Sequence, residues 1–385
     1  MRLGSGMTLS RWGLFAAAFC VLASGASATA LKGDWPMLNF DAKGQRYNPY
    51  ETTLSKKSVP SLQLVWKLDN LNGTQYPLQA SSPVVSGGVL YVGSQDGHFY
   101  ARDAATGKKL WTVKLGSWVA YTAAVSNGIV YVPVFTAQQG KLFALDTATG
   151  ATLWKANFED NVAGSPTVAN GRVFQSGGGP NPLYAFDALT GKQLWKTDIY
   201  GGCWGAPAVA NGIVYSLSDY AMSAFSAATG AKLWQQSGLN GDVGSAAVAG
   251  GRVYGNTSGQ AVAYDATTGT QMWKVGGGLN DSPGLAFAKD HVYALDTVGV
   301  VWNYDAENGV PTFSQAEIGV RASPALANGI LYTSAYNGVF AYDVKTGAPL
   351  WSAALENGVQ ESPVVANGML YVLTGGSLYA YGLKS

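Results

Sequence analysis

SPVVSGGVLYVGSQDGHFYARDAATGKKLWTVKL, Ser82 to Leu115, is the clearest copy of a unit that recurs along the chain. It reads as four strands. A short small-residue strand follows Ser82-Pro83, and Gly87-Gly88 turns it into Val89-Leu-Tyr-Val. A pair of residues that tolerate positive φ is what a two-residue type I′ hairpin demands. A variable loop leads to a third strand, Phe99-Tyr-Ala. Asp103-x-x-Thr-Gly107 then turns into a fourth strand that carries Trp111.

The pattern repeats with little drift. The closing aromatic recurs at Trp111, Trp154, Trp195, Trp234, Trp273, Phe313 and Trp351, at intervals of 43, 41, 39, 39, 40 and 38 residues. Openings recur at Pro83, Ala123, Pro166, Pro207, Ala246, Pro283, Pro324 and Pro363, which makes eight. Such a period of four short strands predicts an all-β fold, an eight-bladed β-propeller of four-stranded antiparallel blades. The Asp-x-x-Thr-Gly turns read as caps, since a short carboxylate accepts backbone N–H groups two or three residues on. Repetition of the motif in nearly every unit is what stability needs and catalysis does not. The eighth unit stops after its third strand, at Tyr381-Gly-Leu-Lys-Ser. Leu62-Gln-Leu-Val-Trp66-Lys-Leu-Asp69 matches the missing Trp strand, so the N-terminal strand is expected to complete the last blade and remove an open sheet edge.

Of 385 residues, 47% are hydrophobic and 12% charged, with 50 Gly and 21 Tyr; the net charge is +1. That balance gives no electrostatic reason to expect nucleic acid. Arg2 and Arg11, the apolar run Trp12 to Leu22, and small-x-small sites ending at Ala28 or Ala30 read as a secretory signal. The expected organisation is therefore a signal peptide at 1–30, an N-terminal extension at 31–61 and the propeller at 62–385. A periplasmic or secreted protein follows, with no transmembrane segment after signal cleavage. Cys20 leaves with the signal and Cys203 remains alone, so no internal disulfide is available. His98 and His291 are the two histidines, too few for a His/Cys zinc site.

Ala101-x-Asp-x-x-Thr-Gly-x-x-x-Trp111 resembles the tryptophan-docking motif of the quinoprotein (pyrroloquinoline quinone, PQQ) alcohol dehydrogenases. The segment Asp34 to Asp69 resembles the opening of those enzymes, and the likeness runs over nearly the whole mature chain. The propeller is also similar to that of the BamB-like assembly lipoproteins, which carry no cofactor. The dehydrogenase resemblance implies a quinone with calcium at the funnel mouth, surrounded by the loops that enter each innermost strand. Those loops hold Gln79, Tyr121, Cys203-Trp204, Asp242, Asn280-Asp281, Arg321 and Gln360-Glu361; the third blade offers the less polar Val162-Ala-Gly164. On this resemblance Gln79, Tyr121, Trp204 and Arg321 bind the cofactor, with Trp204 stacking on the quinone. Asp281 and Glu361 hold the metal, and Asp242 is the catalytic base.

Departures from that family are equally plain. Ser117-Trp-Val-Ala-Tyr-Thr122 lacks adjacent cysteines, and Thr136-Ala-Gln-Gln-Gly140 has Gln138 and Gln139 where the family has a metal-binding Glu. Nothing near Ser218-Asp-Tyr220 matches the family's metal-binding Asn. No Cys-x-x-Cys-His haem site occurs, and every unit stays near 40 residues. Two functions stand side by side. One is a binding or scaffold propeller with a protein partner or small-molecule ligand at the mouth, acting in envelope protein assembly. The other is a small PQQ- and calcium-dependent dehydrogenase. Fold alone does not choose between them.

Overall fold

The computed structural model describes residues 31–69, 81–119, 121–136, 139–159, 161–178, 182–239, 244–257, 259–276, 284–288, 290–295, 300–316, 322–356, 358–359 and 361–384. These form eight antiparallel blades around one axis. Blade 1 runs outward through Val84–Ser86, Val89–Gly93, His98–Asp103 and Lys109–Lys114. The innermost strands of blades 2 to 7 are Ala124–Ser126, Val162–Ala169, Ala208–Ala210, Ala247–Ala249, Ala286–Ala288 and Ala325–Ala327. Blade 8 takes Val364–Ala366, Met369–Leu373 and Ser377–Gly382 from one end of the chain and Gln63–Asp69 from the other. Gln63 pairs with Gly382 and Asp69 with Ser377, so the expected closure is present.

The turns form as the sequence dictates. Asn127 and Gly128 both lie at positive φ, 50° and 76°, the mirror-image turn that only Asn or Gly adopts cheaply. Asp103 Oδ1 accepts the Thr106 N–H at 2.8 Å and its hydroxyl at 2.6 Å, and Asp146, Asp187 and Asp265 repeat the arrangement. One feature departs from strict strand alternation. In all eight blades the outer strand skips one residue of register immediately before the closing aromatic; in blade 1, Ala101 faces Trp111 while Arg102 faces Lys109. The bulge leaves Leu110, Leu153, Leu194, Leu233 and Met272 about half exposed and lets the next side chain face the neighbouring blade.

Each docking Trp bridges a seam. Trp234 Nε1 donates to the Ala266 carbonyl of the next blade at 3.1 Å, and Trp66, Trp111, Trp154, Trp195 and Trp273 do the same to Ala104, Thr147, Ala188, Ala227 and Ala306. The ring covers the turn glycine: a Cβ on Gly269 would lie 2.6 Å from the Trp234 ring. Gly is therefore required twice there, for its φ of 73° and for the ring above it. At the seam between blades 7 and 8 Trp351 donates instead to Leu62 O, because the turn that would precede the outer strand of blade 8 is replaced by the entry of the N-terminal strand. Near the mouth, serine hydroxyls tie blades together: Ser165, Ser245 and Ser362 Oγ accept the N–H of Thr122, Ala206 and Ser323, each at 3.0 Å.

Residues 34–48 thread the axial channel. The carbonyls of Trp35, Pro36, Ala42, Lys43, Gln45 and Arg46 accept N–H groups from Val85, Val125, Val209, Val248, Phe287 and Leu326, at 2.6–2.9 Å. Six of the eight innermost strands thus donate to this one segment. Tyr47–Asn48 adds a parallel fifth strand to blade 7, and Asn48 Nδ2 reaches Val365 O of blade 8 at 2.9 Å. The segment satisfies inward-facing N–H groups that would otherwise line an open channel.

Candidate functional site

The mouth lies at the end where loops enter the innermost strands, opposite the Asn-Gly and Gly-Gly turns. Its floor is made by Arg46, a residue whose importance no motif announced. Arg46 is 1% exposed. Its Nε donates to Pro324 O at 2.7 Å, Nη2 to Pro363 O at 3.0 Å and Nη1 to Leu38 O. Its guanidinium carbon lies 5.3 Å from the Trp35 ring centroid, a cation–π arrangement. Burial lowers its pKa to about 9, which leaves it cationic at neutral pH.

Glu361 sits just above. Ser82 Oγ donates to its Oε2 at 3.0 Å, and Ser334 Oγ donates to its carbonyl at 3.1 Å. Burial pushes the Glu361 carboxyl up to about 8, against the opposing pull of the Ser82 hydrogen bond and the Arg46 charge. At neutral pH this group favours the neutral acid. A protonated carboxyl is a poor ligand for a hard cation, so calcium binding at Glu361 would have to displace that proton. Among the described residues no group of three or more His, Cys, Asp or Glu side chains is placed to hold a metal.

Tyr121 and the Trp204 backbone both approach Gly164. The Tyr121 phenol hydrogen-bonds the Gly164 backbone, and burial raises its pKa to about 12. The Trp204 carbonyl lies where a Gly164 Cβ would come within 2.9 Å, and the Gly205 carbonyl is closer still, at 2.3 Å. Gly164 has φ 67°, and this close approach of three loops is what requires glycine there. The innermost strand of blade 3 is also longer than the others, Val162–Ala169, with an irregularity in register between Ala163 and Thr167. Cys203 is buried, receives the Ser216 hydroxyl at 3.3 Å, and has its thiol pKa pushed up by burial.

The loops of blade 4 carry a feature the sequence did not single out. Gly202 N–H donates to Asp219 Oδ2 at 3.1 Å, Asp219 N–H returns a bond to Gly202 O at 2.9 Å, and Ser218 Oγ holds Tyr200 O. This clamp presents Tyr200, Trp204 and Tyr220, which are 57%, 48% and 50% exposed. The Tyr200 and Tyr220 rings lie 5.6 Å apart. The Trp204 indole nitrogen and the Asp219 carboxylate flank Gly202 from the same side. Of the candidate residues read from the sequence, the structure brings Tyr121 and the backbone of Trp204 to Gly164 and sets Glu361 within the electrostatic reach of Arg46. Gln79, Asp242, Asp281 and Arg321 lie outside the described residues.

A family model described as outer membrane protein assembly factor BamB matches residues 138–276, 223–322 and 288–384. A second, described as glucose/ethanol/alcohol dehydrogenase, beta-propeller domain, matches residues 35–134. Quinoprotein alcohol dehydrogenase PedH of Pseudomonas putida is 36% identical over 69 residues, 18% of this chain and 11% of that protein. Lupanine 17-hydroxylase [cytochrome c] of a Pseudomonas species is 35% identical over 80 residues, 21% of this chain and 11% of that protein. These alignments therefore span about a tenth of the curated relatives' length. Among solved structures, a europium-containing methanol dehydrogenase superposes with TM-score 0.80 at 17% identity, covering 92% of this chain and 98% of its own. The quinohemoprotein alcohol dehydrogenase of Comamonas testosteroni gives 0.78 at 17%, covering 94% and 82%. BamB from Moraxella catarrhalis gives 0.68 at 18%, covering 83% and 99%. At these identities the structural likeness is one of fold. Among the described residues no helix is long and apolar enough to cross a membrane.

Proposed function

Because the chain belongs to the PQQ-repeat propeller family described as outer membrane protein assembly factor BamB, we propose that it is an exported, non-catalytic binding propeller. In this reading residues 1–30 are removed as a signal, and the protein works in the periplasm or outside the cell as a scaffold in envelope protein assembly. The observation that supports it is the aromatic group Tyr200, Trp204 and Tyr220, half exposed on loops that hydrogen bonds hold rigid. Large aromatics with few rotamers, presented on a fixed surface, are the residues that anchor protein interfaces. Exposed aromatic area without a partner is costly, so a soluble chain that keeps three such rings together has a use for them. The test is a photo-crosslinking residue placed at position 220 in the intact protein, expressed in its own envelope. A discrete protein adduct that Trp204→Ala abolishes, with melting unchanged, is the expected result. Crosslinks that survive Trp204→Ala, or arise equally from position 272 on the outer rim, would sink the assignment.

A second reading, the small quinone-dependent dehydrogenase, draws on the match over residues 35–134 and on Trp204, whose exposed ring is free to stack on a planar ligand. There the quinone would supply the redox chemistry. Gln79, Tyr121 and Arg321 would orient it, Asp281 and Glu361 would face the metal, and Asp242 would take the substrate proton. Asp242→Asn should then abolish turnover with cofactor retained, whereas the binding propeller has no turnover to lose.

A further inference from the structure

We propose that the export peptidase cuts between Ala30 and Leu31, and that the α-ammonium so created forms an ion pair with the buried carboxylate of Asp34, locking the propeller at its closing seam. The inference rests on the export reading above and adds to it a defined processing site and a consequence of processing.

Asp34 sits where blade 8 meets blade 1. Its Oδ2 accepts the Gly87 N–H from the inner turn of blade 1 at 2.8 Å, and its Oδ1 accepts Asn367 Nδ2 from the equivalent turn of blade 8 at 2.8 Å. The next residue, Trp35, exchanges two backbone hydrogen bonds with Val85, at 2.9 and 2.8 Å. One carboxylate thus staples together the two blades that the chain ends must join. It is 3% exposed. Among the described residues no Lys, Arg or His side chain forms an ion pair with it. A buried carboxylate without a cationic partner is an expensive arrangement.

The third partner of this carboxylate is the nitrogen of Leu31. It lies 2.6 Å from Asp34 Oδ2, and the turn is closed by Asp34 N–H donating to Leu31 O at 3.1 Å. As a peptide nitrogen it supplies one hydrogen bond and no charge. Hydrolysis of the Ala30–Leu31 bond adds water across the amide, leaving a carboxylate on Ala30 and an amine on Leu31 that is protonated at neutral pH. The same nitrogen at the same distance then carries a full positive charge. Leu31 is 52% exposed, so the remaining ammonium protons have access to water. Ala28-Thr-Ala30 supplies the small-x-small pattern directly before this bond. A cut after Ala28 would instead leave the charge two residues upstream, up to about 7 Å of extended chain away.

The charged and titratable groups near this point are few. Lys32 and Asp41 line the same surface hollow as Leu31 and Asp34, and the Tyr91 and Tyr371 phenols feel the Asp34 charge from blades 1 and 8. A terminal amine held by a carboxylate has its pKa raised above the usual 7.7–8.0. Its contribution to stability is therefore fully present below about pH 7.7 and is lost as pH rises through the higher folded value.

Intact mass of the protein recovered from the envelope gives the first test: the mature chain should begin at Leu31. The second compares that protein with one made to begin at Thr29. The two extra residues keep the amide hydrogen bond and every Asp34 contact but move the charge two residues upstream, so folding is not in question. We expect the Leu31 form to melt higher at pH 7, the difference to vanish by about pH 10, and its α-amine to titrate at least about one unit above 7.7–8.0. Asp34→Asn should erase the difference between the two forms. Export with cleavage elsewhere would overturn this inference alone. Retention of residues 1–30 in the envelope would likewise overturn this inference, and recovery of the uncleaved chain from the cytoplasm would overturn the export reading as well. Equal melting of the two forms with an unshifted amine would refute the ion pair.

Discussion

Trp195→Ala tests the docking scheme most sharply, because its seam lacks a redundancy that five others keep. Trp195 is 8% exposed, packs 5.8 Å from Phe174, and donates to Ala227 O at 3.1 Å. Trp234 is 9% exposed and makes the equivalent bond to Ala266 O at 3.1 Å, but there the Tyr215 hydroxyl donates to the same carbonyl at 3.0 Å. Tyr91, Tyr131, Tyr254 and Tyr371 play the part of Tyr215 at four other seams. Blade 3 has Phe174 at that place, so Ala227 O depends on the indole. Either truncation opens a cavity worth about 3–5 kcal/mol. Trp195→Ala additionally leaves a buried carbonyl unpaired, about 1 kcal/mol more. Equilibrium urea unfolding, followed by far-UV circular dichroism with coincidence checked by fluorescence, should therefore rank Trp195→Ala below Trp234→Ala. In the Trp195→Ala background, Phe174→Tyr should restore about that difference by supplying the phenol. Equal costs at the two seams, or a near-neutral Trp195→Ala, would refute the reasoning.

Glu361 carries a pH signature. Its folded pKa of about 8 stands above the ordinary 4.5, so the folded state holds a proton that the unfolded chain has released. Stability should fall as pH rises between about 4.5 and 8 and level off above; Glu361→Gln should remove that slope in melting curves, and an unchanged slope would show the charge to be paid for elsewhere. Deleting the chain through Asp69 strips the outer strand from Ser377–Gly382 and takes Leu62 O from Trp351. The truncated protein should aggregate or melt far lower, through the exposed edge, and a monomer of unchanged melting temperature in light scattering would contradict the closure.

The blades were legible because each carries its own turn chemistry, repeated until chance is excluded. Asn127-Gly128 and Asp103-x-x-Thr-Gly107 specify local geometry that needs no tertiary context. The half-matched Trp66 strand told where the ring closes. The channel segment was not legible, since its contacts use the carbonyls of Trp35, Pro36, Ala42 and Lys43, and a backbone oxygen leaves no mark on residue type. Arg46 escaped notice for a related reason: its partners are the carbonyls of Leu38, Pro324 and Pro363, distant in sequence and ordinary in composition. At the mouth, loop order placed Tyr121 and Trp204 two blades apart. The approach of Tyr121 and of the Trp204 backbone to Gly164 depends on the φ of that one glycine, which period and spacing do not encode. The exposed Tyr200 and Tyr220 belong to no repeated motif, and the hydrogen bonds between Gly202 and Asp219 that join their two loops leave no mark in the repeat pattern.

The central claim is that this propeller binds and does not catalyse, and titration with pyrroloquinoline quinone in the presence of Ca²⁺, followed by the absorbance of the quinone, addresses it directly. The account predicts no saturable uptake at micromolar protein, since calcium would have to displace the proton that burial favours on Glu361. Tight one-to-one uptake that Trp204→Ala weakens would contradict it and establish the mouth as a cofactor site.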